Sequence, residues 1–285
     1  MPQHPQAFFL PVDDGRTGQR LCLFHPARGE VVHGSVLYVH PFAEEMNKSR
    51  RVAAQQARAL AQAGYSVLQI DLMGCGDSSG DFGDAAWQDW VGDVVRGCGW
   101  LRERSDAPLW LWGLRTGCLL AREAALQLAF SCNFVFWAPI ASGKLPLQQF
   151  LRLKAAAALL GGNAKGVTDG LRQQLSAGHS VEVAGYRLSP ALANGLEQAT
   201  LVPPSGSSAE KPPRMEWLEL SMREDAALSP ASAKSLAQWS QAGFSVGSQV
   251  VAGPSFWQTS EIEEAPDLIT ATVAAITGLP QRAAL

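Results

Sequence analysis

Short apolar runs of strand length recur along the chain, at residues 34 to 39, 65 to 72, 108 to 113, 133 to 140, 214 to 220 and 246 to 252. Segments of helical period lie between most of them, and this alternation predicts an α/β fold with a mostly parallel sheet covered by helices on both faces. Residues 47 to 63 put Val52, Gln56, Leu60 and Ala63 on one side, with Asn47 as N-cap and Gly64 as stop. From Asp84 onward, Trp87, Trp90, Val91, Val94, Cys98 and Leu101 form a second helical stripe, read as core packing. Ahead of these units, residues 7 to 12 and 19 to 25 read as two strands joined by the turn Asp13-Asp14-Gly15, an antiparallel hairpin at the sheet edge.

The rhythm breaks between Pro139 and Arg214. This stretch holds an Ala/Leu-rich helix from Leu147 to Leu160, a Gly161-Gly162-Asn163 break, a short helical pattern from Asp169 to Ala177 and a further segment from Pro190 to Ala199. It closes with the Pro/Ser/Gly-rich linker from Pro203 to Pro213. A helical lid over the top of the sheet is the simplest reading, with a purely structural excursion as the alternative. The chain then divides into a core (1–142), a lid and linker (143–213) and a second part of the core (214–285).

A chain of 285 residues, 47% of them hydrophobic, can bury one large core. Its formal charge of -3, spread along the sequence, offers no footprint for nucleic acid or an anionic membrane. Five cysteines without a C-x-x-C pair suggest a reducing compartment, and no apolar run approaches a membrane span. The expectation is a soluble, cytoplasmic protein. The histidines at 4, 25, 33, 40 and 179 lack ligand spacing, so no metal is expected. The run from Gly74 to Gly80 leads into a loop rather than a helix, so no nucleotide cofactor is expected either.

The most informative segment is Leu109-Trp-Leu-Trp-Gly113-Leu114-Arg115-Thr116-Gly117, an apolar strand running into a Gly-x-x-x-Gly turn and a helix. Such a strand-turn-helix elbow presents a nucleophile on a strained turn, and the glycines keep side chains off the neighbouring strands. Here the central residue is Arg115. Arginine cannot be deprotonated in a protein, so it is an anion binder or an ion-pair partner, not an attacking group.

Taken in order, the hairpin, His40-Pro41-Phe42, Asp71-Leu-Met-Gly74-Cys75-Gly76-Asp77-Ser78, the elbow, the insertion, Glu224-Asp225 and a last strand and helix resemble the α/β-hydrolase superfamily. More narrowly, the run from His40 to Arg50, the Gly-Leu-Arg-Thr-Gly elbow and the run from Gln149 to Lys154 are similar to exosortase A system-associated hydrolases of type 2. The resemblance implies an eight-stranded α/β-hydrolase sheet. It also implies a bacterial protein that works near exopolysaccharide production and surface-protein sorting, where a protein partner is one option.

Carried over residue by residue, the resemblance makes the amides of Phe42 and Thr116 the oxyanion donors and Asp225 the triad acid, with Glu224 its less favoured neighbour. The histidine position falls on Phe256, and no histidine follows residue 179. Serine and histidine are thus both missing, which removes attack and proton transfer together. His40 lies at the mouth of the site at a position commonly structural in this fold. Cys75, Cys118 and Ser255 are weak substitute nucleophiles.

A cation at a helix N-terminus needs compensation. For Arg115 the sequence offers Glu44, Glu45 or Asp225, or else a bound ligand. Three functions stay open: an ester or thioester hydrolase or acyltransferase of atypical mechanism, a pseudoenzyme holding a small anionic or acyl ligand, and an interaction scaffold. On the helix from Leu147 to Leu160, Arg152 and Lys154 are expected to face solvent. Nine tryptophans leave room for an exposed aromatic patch.

Overall fold

A computed structural model describes residues 4–12, 18–160, 166–204, 212–223, 225–259 and 261–278. The turn Asp13-Asp14-Gly15, the Gly161-Gly162-Asn163 break, most of the linker and Glu224 lie outside these residues, as do the side chains of Leu159 and Leu160.

The chain runs β1 (Gln6–Pro11), β2 (Gln19–His25), β3 (Gly34–Val39), α1 (Glu44–Gln62), β4 (Tyr65–Ile70), α2 (Trp87–Arg102), β5 (Leu109–Leu114), α3 (Thr116–Ala125) and β6 (Asn133–Trp137). There follow α4 (Lys144–Leu160), α5 (Val167–Ser176), β7 (Val181–Val183), β8 (Tyr186–Leu188), α6 (Pro190–Gln198), β9 (Arg214–Ser221), α7 (Pro230–Gln241), β10 (Ser245–Ala252) and α8 (Pro266–Thr277). Eight strands form one sheet in the order β1-β2-β4-β3-β5-β6-β9-β10. The pairs β1 with β2 and β2 with β4 are antiparallel, and the rest are parallel.

The parallel strands read as continuous apolar runs because both faces are covered. Along β5, Trp110 and Trp112 join Val36, Leu60, Trp137 and Leu268 in a core shared with α1 and α8. Leu109 and Leu111 pack the other way, with Leu37, Trp90, Leu120, Phe136 and Trp239 beside α2, α3 and α7. Eight of the nine tryptophans (all but Trp100) are buried, and Trp100 stacks on Phe8 at 4.7 Å, so the option of an exposed tryptophan patch is not realised.

Several boundaries differ from the sequence reading. Helix α1 starts at Glu44, three residues before the expected cap, because Ala43 turns the chain with φ 50° and ψ -126°. Asn47 is therefore inside the helix, and its amide bonds Tyr186 and Glu44. Phe82–Asp84 is a separate 3-10 turn and α2 begins at Trp87, though its stripe is buried as expected. β6 ends at Trp137, where Ala138 takes φ 42°.

Residues 144 to 198 form a helical insertion that also carries the β7–β8 hairpin. It is fastened to the sheet's carboxyl end at several points. Tyr186 donates to Glu44 at 3.1 Å, Arg187 pairs with Asp84 at 3.0 Å, and the Ser189 hydroxyl donates to the Ala85 carbonyl at 2.6 Å. Phe150 meets Phe42 edge-on at 5.1 Å, and Tyr186 meets Phe82 at 4.9 Å.

Beneath this end lies a buried ion pair. Asp93, 1% exposed, accepts from Arg20 Nε at 2.7 Å, from the Met73 amide at 2.8 Å and from Arg96 at 3.0 Å. It joins β2, the second strand of the sheet, to α2 and to the loop after β4. Removing one charge strands Arg20 out of water, so Asp93→Asn should cost about 3 kcal/mol. Urea denaturation reads that loss; a shift below about 0.5 kcal/mol would mean the pair is structurally idle.

Candidate functional site

The site assembles where β3, β5, β6 and β10 end. At the top of β5 the backbone folds back sharply, placing Arg115 at φ 55° and ψ -116° ahead of α3. A side chain at Gly117 would put its Cβ 2.1 Å from the Val39 carbonyl oxygen, and one at Gly113 would meet the Cys118 backbone at 2.6 Å. The two glycines of the motif are therefore required by contact, and between them residue 115 is forced into the left-handed region that non-glycine residues avoid. Ala43, in the loop after β3, and Ala138, directly after β6, also take positive φ.

Arg115 does not reach the compensating acids equally. Its Nε lies 3.5 Å from Glu45 Oε1. Asp225 is exposed beyond the end of β9 and forms no ion pair with Arg115 among the described residues. Glu44, which an N-cap at Asn47 would leave outside the helix together with Glu45, instead opens α1 and bonds Tyr186 and Asn47. The Arg115–Glu45 contact is long for a hydrogen bond, and the buried Nε finds no partner of strict hydrogen-bonding geometry among the described residues, while Glu45 is also stabilised by the Gln258 side chain. On its other side the guanidinium carbon sits 5.7 Å from the centre of the Trp257 ring, near enough for a cation–π contact. Burial pushes the Glu45 carboxyl above its ordinary pKa, and Arg115 opposes that rise without cancelling it.

A cavity of about 310 Å3 opens beside this pair. Phe42, Ala43, Pro146, Phe150, Leu153 and Trp257 give it an apolar wall, while Glu44, Glu45, Lys48, Gln149 and Gln258 supply polar groups. Lys48 fixes the far side by donating to the Gln258 carbonyl at 3.3 Å. Trp257, Lys48 and Gln258 went unnoticed in the sequence; the signals were Trp257's place directly after Phe256 and Lys48's spacing one turn after Glu44 and Glu45.

The remaining candidates separate cleanly. Phe256 is buried, edge-on to Trp137 at 6.1 Å and to Trp257 at 5.1 Å, so it is packing. Phe42 and Thr116 are both buried beside the elbow, Thr116 as the first residue of α3, whose leading amides have no acceptor within the helix. Cys118 and Cys75 are buried thiols, and burial raises both pKa values, the opposite of what a nucleophile needs. Ser255 is exposed in the loop after β10. Arg152 and Lys154 face outward on α4, while Leu147, Phe150 and Leu151 are buried beneath it.

His40 is buried with both nitrogens engaged. Nε2 accepts the Leu72 amide at 3.3 Å, which leaves the proton on Nδ1 to donate to the Pro41 carbonyl at 2.8 Å. It is a neutral strut between two loops. No group of acids, histidines and cysteines able to hold a metal occurs among the described residues.

This sheet, with its elbow after β5 and its site at the strands' carboxyl ends, is that of the α/β-hydrolase superfamily. Residues 30–189 match the family of serine aminopeptidases S33, and the chain belongs to that family. A thermostable monoacylglycerol lipase from Bacillus sp. (strain H-257) is 32% identical over 112 residues, 39% of this chain and 42% of the lipase, so less than half of that relative is matched. Est1E from Butyrivibrio proteoclasticus superposes with a TM-score of 0.60 at 11% identity, over 97% of this chain and 99% of Est1E. A highly thermostable carboxyl esterase from Bacillus coagulans gives 0.60 at 12%, over 97% and 99%. XC6422 from Xanthomonas campestris, described as an a/b serine hydrolase without lid, gives 0.56 at 16%, over 99% and 98%. At these identities the structural likenesses speak for the fold alone. No helix among the described residues is long and apolar enough to cross a membrane.

Burial holds the pKa of His40 below that of a free histidine. The unfolded chain therefore takes up a proton first as pH falls, and stability is lost below about pH 6.5. His25 titrates in the same direction. Thermal melts at pH 7.5 and 5.5 should show a smaller acid-induced drop for His40→Gln than for the native chain. Equal drops would mean that His40 does not contribute to the slope.

Proposed function

We propose that this chain is a non-hydrolytic member of the serine aminopeptidase family that binds an acyl ligand instead of cleaving it. The observation that carries the reading is Arg115 at the positive-φ turn of the elbow, where a family enzyme would hold its nucleophile. A permanently protonated guanidinium cannot attack a carbonyl, and Phe256 in the loop after β10 cannot relay a proton. Neither buried thiol is placed or poised to substitute. In this reading Asp225 and the Phe42 and Thr116 amides are what is left of a catalytic constellation.

What is retained suits binding. The cavity beside Glu45 has the size and apolar wall of a small-molecule site, with a few polar side chains among its lining. The insertion from 144 to 198 acts as the lid, and Phe150 and Leu153 are its ligand-facing residues. The likeness of residues 40–50 and of the elbow to exosortase-associated hydrolases supports a role beside polysaccharide production or protein sorting, where an acyl compound would be sensed or carried. That likeness and the buried thiols also favour a cytoplasmic setting.

Hydrolysis of p-nitrophenyl butyrate tests the absence of catalysis. The native chain and Arg115→Ala should both match the buffer rate; saturable turnover by the native chain that Arg115→Ala abolishes would overturn the reading. Restoring the missing groups in Arg115→Ser with Phe256→His should produce weak esterase activity, about a hundredfold over background, if the two amides still meet a developing oxyanion. No gain would show that the donors are no longer poised.

A further inference from the structure

Of the eight buried side-chain polar atoms without hydrogen-bond partners among the described residues, three belong to the elbow residues Arg115 (Nε) and Thr116 (Oγ1) and to Trp257 (Nε1), whose ring lies 5.7 Å from the Arg115 guanidinium carbon. Thr116 is 2% exposed and Trp257 5%, so bulk water does not satisfy them. Such orphans are rare in folded proteins, and several together indicate an acceptor-rich group that the chain itself does not supply. All three are able to donate, and one is cationic. That combination calls for an anion with more than one oxygen.

Glu45 is the nearest approach to that group within the chain. Its carboxylate lies 3.5 Å from Arg115 Nε, too long or too bent for a full hydrogen bond, and is shared with the Gln258 side chain. Glu45 and Trp257 both line the 310 Å3 cavity, whereas Arg115 does not line it and is in contact with both. Glu45 therefore stands between the cavity and the guanidinium. It sits in the first turn of α1, directly after the strained Ala43, and its side chain is 23% exposed toward the opening. A carboxylate so held is a weak internal substitute for a better-placed one.

We infer that Glu45 is a displaceable stand-in for the ligand, and that the ligand is a monocarboxylate with an unbranched apolar tail whose head group replaces Glu45 on Arg115. The tail runs along Phe42, Phe150 and Leu153, and the head takes the donors of Arg115, Trp257 and Thr116. Glu45 swings outward toward Lys48, one turn along the same helix. This inference rests on the acyl-binding reading above and narrows it to the free acid; no bond is made or broken.

Calorimetric titration with octanoate and with octanamide separates the two levels, because the tail is shared and only the head differs. The native chain should bind octanoate roughly tenfold more tightly than octanamide, the scale of a charge-assisted contact. Glu45→Gln removes the internal competitor and should tighten octanoate several-fold while leaving octanamide unchanged, with a thermal melt confirming the fold. Binding by Glu45→Gln where the native chain fails would equally support displacement. Equal binding of the two compounds by the native chain would overturn the carboxylate inference and leave acyl binding standing. If octanoate is preferred but Glu45→Gln weakens it, Glu45 is part of the site and displacement is wrong. If neither compound binds either chain, both readings fall.

Discussion

A guanidinium at the start of a helix is an awkward charge. The aligned peptide dipoles and the unpaired amides of the first turn already make that point positive, so a cation placed there must be neutralised locally or exposed to water. Arg115 has little recourse to water, its side chain being 15% exposed. It is held by Glu45 on one side and by the face of Trp257 on the other. Everything distinctive about this site follows from that need: the course of the loop after β3, the seat of the loop after β10, and the cavity that opens between them.

The backbone leaves residue 115 no other place to go. Val39 and Cys118 press on the two glycine positions, so the turn cannot relax without opening the sheet. Ala43 also takes a positive φ, and the turn it makes opens α1 with Glu44 and Glu45 in the first turn. Strain at these positions is common where a scaffold presents a reactive group. Here the presentation survives although the group presented is a fixed charge. A fold of this kind hosts many chemistries, and the function has to be read from the residues at the turn.

Much of the frame was legible in the sequence. Six apolar runs marked the parallel strands and β4, since strands covered on both faces need no alternation, and the hairpin reading marked β1 and β2. The elbow announced itself through Gly113 and Gly117. Local propensity failed where tertiary contacts decide. Asn47 looked like a cap, yet the chain enters α1 at Ala43, and no local rule favours an alanine in that conformation. The β7–β8 hairpin escaped notice because its two-residue turn is Ala184-Gly185, both at positive φ, where Asn-Gly would have been the recognisable signal. The site was half visible: charge balance required an acid near Arg115, but choosing Glu45 over Glu44 and Asp225 needed the helix phase and the loop path.

The central question for this site is whether Arg115 is a bound charge awaiting exchange or a permanently closed relic. A crystal structure of the protein soaked in octanoate asks this at the atoms concerned. The account predicts the carboxylate on the Arg115 guanidinium, hydrogen-bonded also to Trp257 Nε1, with Glu45 turned away and the chain lying along Phe150. An undisturbed Arg115–Glu45 pair, with octanoate absent or seated elsewhere, would contradict it.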